Sequence, residues 1–405
     1  MYTDQFIRIR QRIKTHCAVC QTPLDKPTLH LSKLPLTEMY TKIKPQKFVG
    51  YADLFFHLCT VCGHGQLSRV LDPAVLYGPS AYFFRTSQSN TAKKANDIFI
   101  TFINRLVQKK RFDTIIDIGC SDLYLLNALN DRAQTLIGID PVLAGKEEEL
   151  SKGKIKVYGD FFENLNLSKK LGKGNVLILS SHTLEHVENP RRMVQAILDA
   201  SSPNTICAFQ FPCLDPLVAD GRYDQIFHQH LGYFSINSFI YLINDLGGEI
   251  IDYEINYHHW GSLLVAFKKS NAKKNNKKRV LKPTITPKKI TEGFKIFQQK
   301  MTMMRNYLRT ITDGPIYGFG AALMLPILSY HLQDDLSHFS GILDDDINKR
   351  GLYYINLPLS IKIPDQVGDI GNSTIVITAL STTRSVLPRV LSLGPKRIIF
   401  PLTTI

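Results

Sequence analysis

Thr114-Ile115-Ile116-Asp117-Ile118-Gly119-Cys120-Ser121-Asp122 reads as a buried strand that runs straight into a tight turn. Its β-branched run lacks polar alternation, as a strand covered on both faces does. Working outward, residues 92–110 carry the period of an amphipathic helix, and a helix over 123–130 follows the turn. Thr135-Leu136-Ile137-Gly138-Ile139-Asp140 forms a second strand ending in an acid. Val157-Tyr158-Gly159-Asp160 and Asn175-Val176-Leu177-Ile178-Leu179-Ser180 add two more. Strands alternating with helices predict an α/β fold with a doubly wound, largely parallel sheet, whose ligands sit at the carboxyl ends of its strands.

The turn narrows the ligand. A phosphate-cradling turn needs G-x-G-x-x-G, but Ser121 and Leu123 stand where further glycines would be, which argues against a pyrophosphate. Asp117-x-Gly119, with Asp140 about twenty residues on, fits a class I S-adenosylmethionine (SAM) site instead. Gly119 would let the turn lie against the methionine end, and Asp140 would accept the ribose hydroxyls. Asp122 belongs to the same turn, and Asp160 falls where adenine is held.

Two later stretches carry candidate chemistry. Ser181-His182-Thr183-Leu184-Glu185-His186-Val187 follows the fourth strand; His182 reads as structural, and His186 equally as a packed side chain or an acceptor contact. Tyr223-Asp224-Gln225-Ile226-Phe227-His228-Gln229-His230 places two imidazoles two residues apart. In an extended chain they would share one face. Imidazole takes a proton near neutral pH, so the pair is a candidate base; a metal site there lacks a third ligand at recognisable spacing.

Cys17-Ala18-Val19-Cys20 and Cys59-Thr60-Val61-Cys62 each aim two thiolates at one point, and together they make the four ligands of a closed structural zinc site. The 38 intervening residues form a sub-fold, and His16, His57 and His64 stand nearby as alternative ligands. Seven cysteines, an odd number, with no signal-like start, point to a reducing, cytoplasmic setting.

Bulk composition bounds the rest. The 405 residues are 44% hydrophobic and 21% charged, ordinary for a soluble chain with two or three domains, and no apolar run is long enough for a membrane span. Of the net charge of +14, residues 268–300 hold twelve Lys or Arg against one acid, Glu292. A solvated linker explains that run better than nucleic-acid binding does. The expected organisation is a zinc-binding part over 1–90, a SAM-type core over 91–268, a basic linker and the start of a helix over 269–300, and a Rossmann-like lobe over 301–405. In that lobe Gly318-Phe319-Gly320 with Asp344 is a weak dinucleotide signal, and a lobe that frames substrate is the favoured reading.

From about Cys17 onward the chain resembles the nucleotide-sugar C-methyltransferases that act on 4-keto-6-deoxyhexoses. The resemblance rests on Cys59-Thr60-Val61-Cys62-Gly63-His64-Gly65-Gln66-Leu67 with Leu71-Asp72-Pro73, and on Ser80-Ala81-Tyr82-Phe83-Phe84 with Ser87-Gln88-Ser89. It continues in Tyr317-Gly318-Phe319-Gly320-Ala321, Ile342-Leu343-Asp344-Asp345-Asp346 and Lys349-Arg350-Gly351. The resemblance implies SAM and structural zinc as cofactors, His230 as base, Tyr82 and His186 as acceptor-side residues, and a sugar nucleotide between the lobes. Departures lie in Phe227-His228-Gln229-His230, where the family reads Tyr-His-Glu-His, in Leu123 for a turn glycine, and in His259-Trp260-Gly261-Ser262-Leu263-Leu264 for His-Gly-Gly-Ser-Leu-Arg. Sugar O-methylation, a zinc-containing RNA or protein methyltransferase, and a non-catalytic binding protein stay open beside it.

Overall fold

The computed structural model describes residues 11–76, 89–166, 174–271 and 282–402. Its centre is a seven-stranded sheet. In chain order the core strands are Phe112–Ile118, Ala133–Ile139, Ile155–Tyr158, Val176–Ser181, Ile206–Pro212, Gly248–Asn256 and Ser262–Lys269, and they lie side by side as 6-7-5-4-1-2-3. Core strand 7 runs antiparallel between strands 5 and 6; the pairings 5-4, 4-1, 1-2 and 2-3 are parallel.

The apolar runs are continuous because both sheet faces are covered. Ile116, Ile118, Ile137 and Ile178 pack with Met193, Val194, Ile197 and Leu198 of the helix Pro190–Ala200. Their neighbours Ile115, Leu136, Leu177 and Leu179 face the opposite side, against Phe99, Phe102, Ile103 and Val107 of the helix Asn90–Val107. The chain winds 1-2-3 to one side and 4-5 to the other. The switch point therefore lies between strands 1 and 4, where such sheets bind ligands.

The head is a four-stranded sheet in the order Gly232–Tyr233, Gly65–Leu67, Tyr51–Leu58, Leu29–Pro35. Its first strand is lent by the core: Gly232 pairs with Gln66 and Tyr233 with Gly65. The tail is a five-stranded parallel sheet built from Ile361–Lys362, Gly341–Leu343, Ile316–Phe319, Thr374–Ile377 and Arg397–Ile399. Asp344 accepts from the Ala321 amide at 2.7 Å and from Lys349 at 3.3 Å. The acid that a dinucleotide would need for its ribose is thus engaged in closing its own turn.

Of the basic stretch, residues 287–300 belong to the helix Pro287–Arg309, capped by Thr286. Ile290, Phe294, Phe297, Met301 and Leu308 recur at helical spacing, and the core they enter also contains head and tail residues such as Phe56 and Leu328. Residues 272–281, where five of the cationic side chains lie, are outside the described residues. Among the described residues, no helix is long and apolar enough to cross a membrane.

Candidate functional site

The turn after core strand 1 carries three positive φ angles: Gly119 (79°), Ser121 (45°) and Leu123 (63°). Leu123 adopts the left-handed conformation of the glycine it replaces, so the turn keeps its path at a cost of about 1–2 kcal/mol. Its side chain is buried and so contributes packing in return. The sequence reading has Gly119 clearing space for a ligand. The structure adds a reason of its own: a Cβ there would stand 1.9 Å from Thr183 Oγ1. The missing side chain is where the loop after strand 4 locks onto the loop after strand 1. Gly119→Ala should lower stability by more than about 2 kcal/mol in equilibrium denaturation, because overpacking adds to left-handed strain.

The four acids expected to hold a cofactor gather on this rim. Asp117 is 2% exposed, and its Oδ1 has no hydrogen-bond partner among the described residues. Burial, then Asp140 and Asp122, push its carboxyl up to about 7. Asp140 accepts the amides of Ser121 (2.8 Å) and Val142 (3.0 Å), so its carboxylate is fixed in place at the end of strand 2. Asp160, after strand 3, accepts from the Phe161 amide and the Asn164 side chain, each at 2.7 Å. An orphaned buried carboxylate oxygen beside a fixed one suits a ligand that brings an ammonium group and ribose hydroxyls. These residues fit SAM.

Across the switch point lies a group of imidazoles around one carboxylate. Glu185 is 1% exposed; its Oε1 accepts from His182 Nδ1 at 3.2 Å and lies 3.9 Å from His186 Nε2. His186 Nδ1 donates to the Gln229 carbonyl at 2.8 Å, which turns Nε2 toward Glu185. Donor atoms of Glu185, His186 and His230 all lie within 4.8 Å of one another. The His186 and His230 rings sit 5.2 Å apart, and His182 Nε2 meets His259 Nδ1 at 3.3 Å. Burial raises the Glu185 carboxyl, but the His182 hydrogen bond and the imidazoles gathered around it outweigh that and hold it at about 2. His230 is lowered to about 3 by burial and then by His186, against the pull of Glu185. It is a neutral imidazole with a lone pair available and an anion beside it.

His228 and His230 would share a face in an extended chain, and here the segment is not extended. Residues 227–230 form a turn, with the His230 amide donating to the Phe227 carbonyl at 3.2 Å, so the two rings diverge. His228 is sunk against the Ala52–Asp53 backbone of the head, and burial lowers it to about 4. His230 turns the other way, toward His186, Phe227 and Trp260. Gln229 contributes its backbone carbonyl, while the nearby carboxylate is Glu185. Tyr82 lies outside the described residues.

Sequence reasoning passed over Glu185 and His259 and set His182 aside. The available signal was position: an acid within five residues of the end of a buried central strand, beside the switch point.

The thiols of Cys17, Cys20, Cys59 and Cys62 converge, with Cys17–Cys62 at 3.6 Å and Cys20–Cys59 at 3.4 Å. Sulfurs about 2.3 Å from a tetrahedral zinc would be roughly 3.8 Å apart, so the donor set fits that metal. The alternative ligands point elsewhere: His16 is exposed, His57 Nδ1 meets the Asp25 carbonyl at 3.1 Å, and His64 packs on Phe234 with ring centroids 4.4 Å apart.

Residues 90–253 match the model of a methyltransferase domain. C-methyltransferase NovU of Streptomyces niveus is 22% identical over 214 residues, covering 51% of this chain and 49% of NovU. The match thus spans about half the length of that curated relative. Among solved structures, N-methyltransferase NodS of Bradyrhizobium japonicum is 12% identical with a TM-score of 0.35, covering 46% of this chain and 92% of its own. Magnesium protoporphyrin IX methyltransferase of Synechocystis is 12% identical with a TM-score of 0.32, covering 44% and 83%. Residues 90–253 are a methyltransferase domain, set between a four-cysteine head and a parallel-sheet tail.

Proposed function

We propose that the chain is a SAM-dependent methyltransferase that methylates a carbon beside the carbonyl of a nucleotide-linked keto-deoxysugar. One observation carries the reading: His230, buried and neutral, lies beside Glu185 at the switch point whose other bank is the Asp117–Asp140 rim. The likeness to a C-methyltransferase supports the choice of carbon as acceptor.

A carbonyl acidifies the adjacent C–H bond. His230 takes that proton on its ring nitrogen, and the bonding pair becomes an enolate. The imidazolium formed is stabilised by the Glu185 carboxylate, which is itself held by His182. Bound at Asp117 and Asp140, the cofactor supplies an electrophilic methyl on a sulfonium. The enolate carbon is the nucleophile: a C–CH₃ bond would form as the S–CH₃ bond breaks with its electron pair left on the thioether sulfur, and the proton taken by His230 passes on to solvent. The four cysteines would hold a structural zinc, which would supply folding free energy and no chemistry.

Base chemistry can be tested without the methyl donor. In deuterated water and without SAM, the enzyme should exchange deuterium into the carbon beside the carbonyl of 4-keto-6-deoxyhexose nucleotides. A sugar that binds but takes up none would point to oxygen as the acceptor and sink the enolate route.

A further inference from the structure

We propose that Glu185, His186 and His230 form a site for one divalent transition-metal ion of the zinc class, and that an ion bound there shuts off the base. The second half of this rests on the function proposed above. Around His230 the sequence offers no third ligand at recognisable spacing, and the fold supplies two ligands from another segment. Glu185 and His186 come from the loop after core strand 4, and His230 from the turn at 227–230. One donor atom of each lies within 4.8 Å of the others, and Glu185 Oε1 and His186 Nε2 are 3.9 Å apart. Donors about 2.0–2.2 Å from a tetrahedral ion stand roughly 3.4 Å apart, so small side-chain rotations close the set. Three protein ligands leave a fourth position for water.

A second observation is independent of that spacing. Glu185 is 1% exposed, and its Oε2 has no hydrogen-bond partner among the described residues. The charged-type side chains that meet it there are imidazoles, with no Lys or Arg paired to it. A buried anionic oxygen without a donor is costly, and a cation offsets that cost directly.

The groups behind the three ligands are those that a metal site requires. His186 Nδ1 donates to the Gln229 carbonyl at 2.8 Å, which leaves the Nε2 lone pair facing Glu185. His182 Nδ1 donates to Glu185 Oε1 at 3.2 Å, and His182 Nε2 meets His259 Nδ1 at 3.3 Å. Such outer partners fix the tautomer and orientation of ligating side chains. Phe227 and Trp260 pack on the His230 ring, with centroids 4.4 and 5.6 Å away. The His186 side chain is 32% exposed, which gives an ion its way in.

Two nitrogen donors select for Zn²⁺ and its neighbours over a hard ion such as Mg²⁺. Coordination uses the same His230 lone pair that takes the substrate proton. It also neutralises the Glu185 charge that stabilises the imidazolium. Metal occupancy and enolate formation therefore exclude one another.

The test is calorimetric titration of Zn²⁺ into the full chain whose four-cysteine site is already filled with zinc, with Mg²⁺ for comparison. One additional Zn²⁺ per chain should bind, and Mg²⁺ should not. Glu185→Gln and His186→Ala should each weaken that ion at least about 100-fold, and His182→Ala, which removes only the group steering Glu185, about tenfold. Co²⁺ added to the zinc-filled wild type gives a reading that no variant's folding can disturb. It should show the weak visible bands of nitrogen and oxygen ligation, without thiolate charge-transfer bands. A wild type that takes up no second ion, variants that bind it as tightly as the wild type, or cobalt bands of thiolate character would each overturn the site.

Deuterium exchange into a 4-keto-6-deoxyhexose nucleotide, measured without SAM, should fall in proportion to occupancy. It should return when a chelator too weak to empty the four-cysteine site removes the second ion. Exchange that rises with occupancy would overturn the blocking role. Full exchange in the metal-saturated chain would leave the site standing and take the role of base from His230. If no such sugar exchanges at all, the enolate reading fails, while the titration still decides the metal site.

Discussion

His230→Asn should lower turnover by about 10²–10⁴-fold, the range that a positioned general base contributes, while S-adenosylhomocysteine affinity stays within about threefold. The split follows from geometry. The groups that fit the cofactor sit on the loops after strands 1 to 3, whereas His230 arrives on a turn between residues 227 and 230 and contacts His186, Phe227 and Trp260. Because the ring is 5% exposed, its removal also disturbs packing, so circular dichroism and the unfolding midpoint must accompany the kinetics. Two further readouts isolate the proton step. Deuterium exchange into the sugar should fall by the same factor as turnover, and Glu185→Gln should reduce both by less than His230→Asn does, since it removes a charge next to the base and leaves the base in place. A His230→Asn variant that exchanges deuterium at the wild-type rate would transfer the role of base to His186.

The fold was legible because its signals are local and redundant. A β-branched run ending at Gly119, an acid at the end of the next strand, and helices between them leave one economical topology, and the structure has it. The candidate site was legible only in part. Asp117, Asp140 and the four cysteines are bound to short-range spacing, and they converge as their spacing implies. The relative placement of His228 and His230 was open in the sequence, because period-2 alternation holds only in an extended chain and here a turn intervenes. Glu185 was invisible for another reason. A lone acid in sequence reads as solvated, and only burial among His182, His186 and His230, brought in from two separate segments, makes it a partner for a base. Likewise Leu123 reads as a lost glycine until its left-handed backbone shows that the turn was kept.

Loss of the head's metal should disable the enzyme even though no cysteine touches the imidazole cluster. Cys59→Ser is expected to reduce bound zinc from one per chain to none, lower the unfolding midpoint by several degrees and cut turnover by at least tenfold. Structural zinc contributes folding free energy directly, on the order of 10 kcal/mol in small isolated domains. Here that energy has a specific outlet. Cys59 and Cys62 flank the turn between Tyr51–Leu58 and Gly65–Leu67. The second of these strands pairs with Gly232 and Tyr233, and the Leu67 amide donates to the Leu231 carbonyl at 3.0 Å. The residues held are the immediate successors of His230. Leu231 is tied on its other side to Glu185, whose backbone carbonyl accepts the Leu231 amide at 2.7 Å. The four-cysteine head is therefore tied to the segment that carries His230, and that segment to Glu185, through a continuous ladder of backbone hydrogen bonds. Cys207→Ala, in the core sheet and away from the cluster, provides the control: it should keep its zinc and its turnover while losing modest stability from a small cavity. A Cys59→Ser enzyme stripped of metal that turns over at the wild-type rate would break this link, and would leave the head as a separate module with no part in holding the base.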